Sequence, residues 1–195
     1  MVGSTAVGSL GGAAQQAVLV LYLVRELGLS PPVLGAVFAA YGITAIVGAL
    51  LAGPVRERSG PGMAIVGGTA LWCVSSLVIA LAAGPLIVVV PLLLAAQVVR
   101  GIGIPVYSIN QITVRQAILP SRLLGRVNAT RRFLVFGVIP IGSLLGGALG
   151  QAVGLRPVLL IGAALQGLAL LWLALSPLRT MGNTPEPVPS APNQI

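Results

Sequence analysis

Lysine, aspartate and histidine are absent from this 195-residue sequence, and its acid is confined to three glutamates, Glu26, Glu57 and Glu186. Without histidine there is no Ser–His or Cys–His couple for nucleophilic hydrolysis, and no His-based metal site. A single cysteine, Cys73, leaves neither a disulfide framework nor a thiolate cluster for a metal. It sits in an apolar run and reads as a small packing residue. The glycine-rich pieces follow helical spacing and lack the lysine of a phosphate loop. These absences predict a chain that is not an enzyme and that holds no metal and no cofactor.

Charge of either sign is scarce. Charged residues make up 7% of the chain, against roughly a quarter in a soluble domain. Hydrophobic residues make up 56%, and the mean hydropathy is +1.03. A water-facing surface cannot be assembled from so few charges, so the solvent for most of the chain is lipid. The formal charge of +8 comes from eleven arginines, and these cluster between the apolar runs. There they report orientation in a bilayer and not a nucleic-acid partner. Arginine without lysine, beside abundant alanine, glycine, valine and proline, points to a GC-rich bacterial genome. Residues 1–7 have no basic segment of the kind that opens a signal peptide, so the first apolar run is expected to be a membrane helix.

Six such runs are present, at about 5–24, 33–53, 63–83, 86–109, 133–153 and 158–175. Each can cross a hydrocarbon core of roughly 30 Å as a helix rising 1.5 Å per residue. Lipid offers the backbone no hydrogen bonds, and the runs do not alternate as barrel strands do, so the spans must be helical. The expected fold is all-α: a polytopic six-helix bundle over residues 1–178 and a disordered Pro-, Asn- and Ser-rich tail over 179–195. The connections are expected at 25–32, 54–62, Gly84–Pro85 and 154–157, with a longer, arginine-rich and partly helical one at 110–132. Eight arginines fall after the second and fourth runs and in the tail: Arg56, Arg58, Arg115, Arg122, Arg126, Arg131, Arg132 and Arg179. Only Arg25 and Arg156 fall in the other loops. That asymmetry predicts a plasma-membrane protein with both termini in the cytoplasm.

Two stripes of small residues stand out. Gly142, Gly146, Gly150 and Gly154 recur every four residues and bare one face of the fifth helix, and Ala36, Ala40, Thr44, Gly48 and Ala52 do the same in the second. Bare faces drive close helix association in lipid. The stripes could pack within the chain, but two of them on a six-helix unit favour docking onto helices outside it.

Arg100 is the candidate centre of chemistry. It lies about nine residues inside the fourth run, roughly 14 Å deep. A cation at such depth costs at least about 2.5–3.5 kcal/mol, and no glutamate falls in a span. Its predicted surroundings are a water-filled cavity, a partner outside the chain or an anionic ligand; the alternative is bonding to backbone carbonyls near Gly101, Gly103 and Pro105. Gln97, Arg100, Ile104, Tyr107 and Gln111 share one edge of this helix by their spacing of three and four, and Thr5, Ser9, Gly12 and Gln16 share one edge of the first. Two polar edges in an apolar bundle suit a shared aqueous cavity, with interhelical hydrogen bonding as the alternative.

Two further motifs carry a family resemblance. Gly53-Pro-Val-Arg56-Glu57-Arg58-Ser-Gly60 resembles the cytoplasmic loop signature of the major facilitator superfamily, with Glu57 in place of its aspartate and Pro61-Gly62 in place of its final basic pair. Arg115-Gln116, Pro120 and Gly125-Arg126-Val-Asn-Ala129, followed by a Pro-x-Gly-x-x-x-Gly-Gly pattern at Pro140, look like the segment joining the tenth and eleventh helices of the enterobactin-exporter and macrolide-efflux branch. The resemblance implies half of a twelve-helix fold, with two three-helix inverted repeats. It implies secondary transport of a small molecule such as a drug or siderophore by alternating access. Gln16, Gln97, Arg100 and Tyr107 would then lie on the substrate path. Gly53, Glu57, Arg58, Gly60, Gln116, Pro120, Gly125 and Arg126 would lie in cytoplasmic gating loops. Besides the bilayer and the small-molecule substrate, the partner implied is an N-terminal half or a second copy. A non-transporting remnant or assembly subunit, and a homodimeric six-helix carrier or channel, are the competing expectations.

Overall fold

The computed structural model describes residues 2–118 and 121–175, and the regular structure among them is helical throughout. Helix α1 spans Val2–Leu21 and widens into a π-helical turn at Tyr22–Glu26. Helices α2 (Pro31–Leu81), α3 (Leu86–Ile118), α4 (Ser121–Val153) and α5 (Leu155–Leu175) follow. Five of these helices are long and apolar enough to cross a membrane. Pro120 and the tail at 179–195 lie outside the described residues.

Local sequence sets the helix ends. Ser30 is extended (ψ 154°) because a residue before proline avoids the helical region, and Pro31 opens α2 with its ring pre-set for a first turn. Gly84 at φ +115° turns the chain between α2 and α3, and Gly154 at φ +96° turns it between α4 and α5. Gly154 is therefore the hinge after α4 and not the fourth member of that helix's packing stripe.

The expected runs 33–53 and 63–83 are the two arms of α2. The expected nine-residue loop between them contracts to one non-helical residue, Gly60, at φ 80° and ψ 158°. Only glycine takes that conformation without strain, and Pro61 restarts the helix behind it. The arms fold back on one another. Gly48 lies against Gly101 and Ile102 of α3, and Gly68 against Gly103 and Tyr107. In an unbroken helix Gly48 and Gly68 would stand about 30 Å apart, so their meeting α3 at one level requires the reversal at Gly60. Similarly, α3 continues past the expected end at 109 to Ile118, and a second helix begins at Ser121. The apolar pattern marks where hydrocarbon ends. The helix continues beyond, because its backbone bonds are as useful in the interface as in the core.

Close approach between backbones organises the bundle. On α3, Gly101 faces Tyr41 and Thr44 of the first arm, while Gly103 faces Gly68 and Leu71 of the second. On α1, Gly11 meets Gly162 of α5. Gly142 and Gly146 of α4 meet Leu10 and Ala14 of α1, and Gly150 meets Val18. Gly48, Gly142, Gly146 and Gly150 of the two small-residue stripes thus pack inside the chain, whereas Ala36 and Gly154 at their ends are exposed. The outward faces carry large apolar side chains instead, among them Ile43, Leu50, Ile87, Phe133 and Leu144.

At one end of the bundle Val18, Leu19, Tyr22, Leu23, Ile79, Val89, Leu93, Val158 and Leu159 form the main core. The last carbonyls of α2 have no helical donor left, and side chains supply them. Tyr22 Oη donates to Ala82 O at 2.6 Å, Arg156 Nε to Ala80 O at 3.2 Å, and Arg156 Nη2 to Leu81 O at 3.3 Å.

Candidate functional site

Two of the polar systems between the helices differ in one respect: every side-chain nitrogen and oxygen of the first has a hydrogen-bond partner, and the second has one that does not. In the first, Ser76 Oγ donates to Gln166 Oε1 at 2.7 Å, Gln166 Nε2 to Gln15 Oε1 at 2.8 Å, and Gln15 Nε2 to Leu159 O at 2.8 Å. All three side chains are buried. This chain joins α1, α2 and α5 and gives each of its side-chain nitrogens and oxygens a partner, so its role is to hold the helices in register. Spacing alone did not reveal it. It placed helix one's polar edge through Gln16, whereas Gln15, a neighbour about 100° round the helix, faces α5.

The second system is a cavity of about 260 Å³ lined by Gln16, Phe38, Tyr41, Gln97 and Arg100. Gln97 and Arg100 stand three residues apart on one face of α3. Phe38 and Tyr41 stand three apart on the first arm of α2. Gly101, next to Arg100, lets that arm approach so closely that a Cβ there would lie 2.9 Å from Tyr41 O. The missing side chain at Gly101 thereby brings two aromatic rings beside the guanidinium. Gln16 completes the wall from α1.

Arg100 is poorly satisfied here. Its one hydrogen bond among the described residues runs from Nη2 to Gln16 Oε1 at 3.5 Å, the weak limit of such contacts. Among the described residues it bonds no backbone carbonyl, those near Gly101, Gly103 and Pro105 included. Glu26 and Glu57, the two described acids, are exposed near helix ends and pair with nothing in the cavity. Gln97 is only 3% exposed, and its Oε1 has no partner among the described residues. A cation with most of its five donors unused thus shares a recess with a buried amide that lacks a partner.

The Major Facilitator Superfamily profile matches residues 1–194, so the match runs through every helix described above. The chain belongs to the major facilitator superfamily. It is therefore a membrane-embedded protein of a transporter family. No curated protein matches the chain at a significant level.

In this major facilitator chain, three of the four expected path residues, Gln16, Gln97 and Arg100, line one cavity. Tyr107 does not. It lies two turns further along α3, about 10 Å by helical rise, with its ring 6.2 Å from that of Trp72 and tilted by 46°. Its Oη accepts from Gln111 Nε2 at 2.8 Å. The polar edge of α3 therefore divides, with one part at the cavity and the other packed against the second arm of α2. Phe38 and Tyr41 were missed, although they are two of only six Phe and Tyr residues in the chain and stand one turn apart.

The residues expected in gating loops lie mostly on helices. Gly53, Glu57 and Arg58 belong to the extended first arm of α2, with Glu57 and Arg58 exposed, and Gly60 is the break itself. Gln116 is exposed near the end of α3, and Gly125 is exposed on α4. Arg126 lies on α4, with its side chain outside what is described. Asn110 ties these levels together, donating through Nδ2 to Ala52 O at 3.1 Å and to Val106 O at 2.9 Å.

Proposed function

We propose that this chain acts in secondary active transport, exporting a small molecule such as a drug or siderophore across a bacterial plasma membrane by alternating access. The observation that carries the reading is the convergence of Gln16, Gln97 and Arg100, from helices far apart in sequence, on one incompletely satisfied polar recess inside an apolar bundle. Ionisable groups in membrane spans mark substrate pathways far more often than packing, because of what they cost. Secondary transporters bind near the midplane and rock one bundle against another around that site.

On this reading the two arms of α2 are separate crossings, so the chain makes six and keeps both termini in the cytoplasm. Glu57, Arg58 and Arg126, at the basic end, act in closing the cytoplasmic side. The rocking partner is an N-terminal half or a second copy.

The test is accumulation of drugs and siderophores in cells with and without the chain, expressed with its partner half where one is encoded. Arg100→Ala should abolish the difference while leaving the amount of membrane-inserted protein unchanged. Unchanged efflux by that variant would remove Arg100, and with it the carrying observation.

A further inference from the structure

The composition of the cavity wall specifies more than a small molecule. Its one charge is positive, with no acid among its lining residues. A cationic compound would be repelled by Arg100, and a neutral one would leave an intramembrane charge uncompensated. An oxyanion supplies what the guanidinium lacks: a planar acceptor for parallel N–H donors, at a place where water competes weakly. The second unmet group is the Gln97 amide. Whichever way the amide is turned, a ligand hydroxyl can meet its free end, since a hydroxyl both donates and accepts. The rest of the wall is Gln16 and two aromatic residues, Phe38 and Tyr41, one turn apart, which suit contact with a flat ring. At about 260 Å³ the cavity has room for a compound built on a single ring.

We infer that the recess binds a singly charged aromatic carboxylate bearing a hydroxyl group, with its carboxylate on Arg100, its ring against Phe38 and Tyr41, and its hydroxyl on Gln97. This rests on the reading of the recess as a substrate site and narrows it to a chemical class.

The test uses the whole chain, purified into phosphatidylcholine nanodiscs, with 4-hydroxybenzoate as probe and binding followed by ligand-observed NMR. A charge-assisted hydrogen bond predicts that 4-hydroxybenzoate binds at least about tenfold more tightly than its uncharged isostere 4-hydroxybenzamide. Arg100→Gln should erase that preference. Benzoate, lacking the hydroxyl, should bind about three- to tenfold more weakly than 4-hydroxybenzoate to the native chain, and equally with it to Gln97→Leu. The comparison of acid with amide needs no variant, so a poorly folding substitution cannot shield the inference.

Equal binding of acid and amide, no binding of either, or a preference that survives Arg100→Gln would overturn it. So would displacement of the probe by phosphatidylglycerol in the nanodisc, which would assign the oxyanion to a lipid phosphate. Arg100-dependent export of compounds with no preference for the acid would overturn this inference and leave the transporter reading standing. Selective binding of the acid without any transport would do the reverse.

Discussion

Gln166 donates Nε2 to Oε1 of Gln15 across 2.8 Å, joining the last and first helices of the bundle through two buried amides. Both ends of the pair are themselves bonded, to Ser76 and to the carbonyl of Leu159. Gln166→Leu would leave the Gln15 and Ser76 side chains buried with lost partners, at a cost of about 1–2 kcal/mol. Gln151, exposed on α4, is the control: Gln151→Leu should change stability by less than about 0.5 kcal/mol. Unfolding in mixed micelles on titration with denaturing detergent measures both. Equal effects would show that the amide chain does not hold the helices together.

Glycines of one helix should respond in opposite ways to the same substitution. A Cβ at Gly142 would stand 2.8 Å from Leu10 O, whereas one at Gly147 meets nothing within 4 Å. Gly142→Ala should therefore force α4 away from α1 and lower the yield of folded protein. Gly147→Ala should be neutral or stabilising by up to about 1 kcal/mol, through helix propensity. Size-exclusion profiles and thermal denaturation in detergent decide it; loss of folded protein on Gly147→Ala would mean that this face, too, is packed.

Much of the architecture was legible in the sequence because lipid imposes a simple rule: long apolar runs become helices. What the rule leaves open is which side of a helix faces protein. In water an apolar stripe points inward, but in lipid both sides are apolar, and the discriminating signal shifts to small and polar residues. That signal found the close-packed faces at Gly142 and Gly48 but could not say that their partners lie within the chain. It found Gln97 and Arg100, yet it assigned Tyr107 to the same edge, because spacing along a helix does not reveal where a neighbour such as Trp72 interrupts a groove. Gln15 and Gln16 were distinguishable only once α5 was in place. The extensions of α2 and α3 beyond the apolar runs were hidden for another reason: hydropathy marks the edge of hydrocarbon, whereas a helix ends where its backbone bonds find better partners. At Gly60 that happens after the run is over.

Orientation can be read from outside the cell. The arginine asymmetry predicts Arg58 in the cytoplasm and Ser30, before α2, on the opposite side. In a Cys73→Ser background, Ser30→Cys should react with a membrane-impermeant maleimide added to intact cells, and Arg58→Cys should react only after the cells are opened. The reverse pattern would invert the topology and with it the assignment of the gating end.

If the recess beside Arg100 is a substrate site, it is aqueous and positive although it lies among membrane helices. Phe38→Cys in the Cys73→Ser background reports on it directly, with Leu50→Cys, on the same arm, 72% exposed and outside the recess, as reference. The rates of modification by a negatively and a positively charged methanethiosulfonate reagent should be measured at both positions in membrane vesicles. Phe38→Cys should react, several-fold faster with the anionic reagent, and Leu50→Cys should be inert to both. A Phe38→Cys as unreactive as Leu50→Cys, or one that prefers the cationic reagent, would contradict that reading.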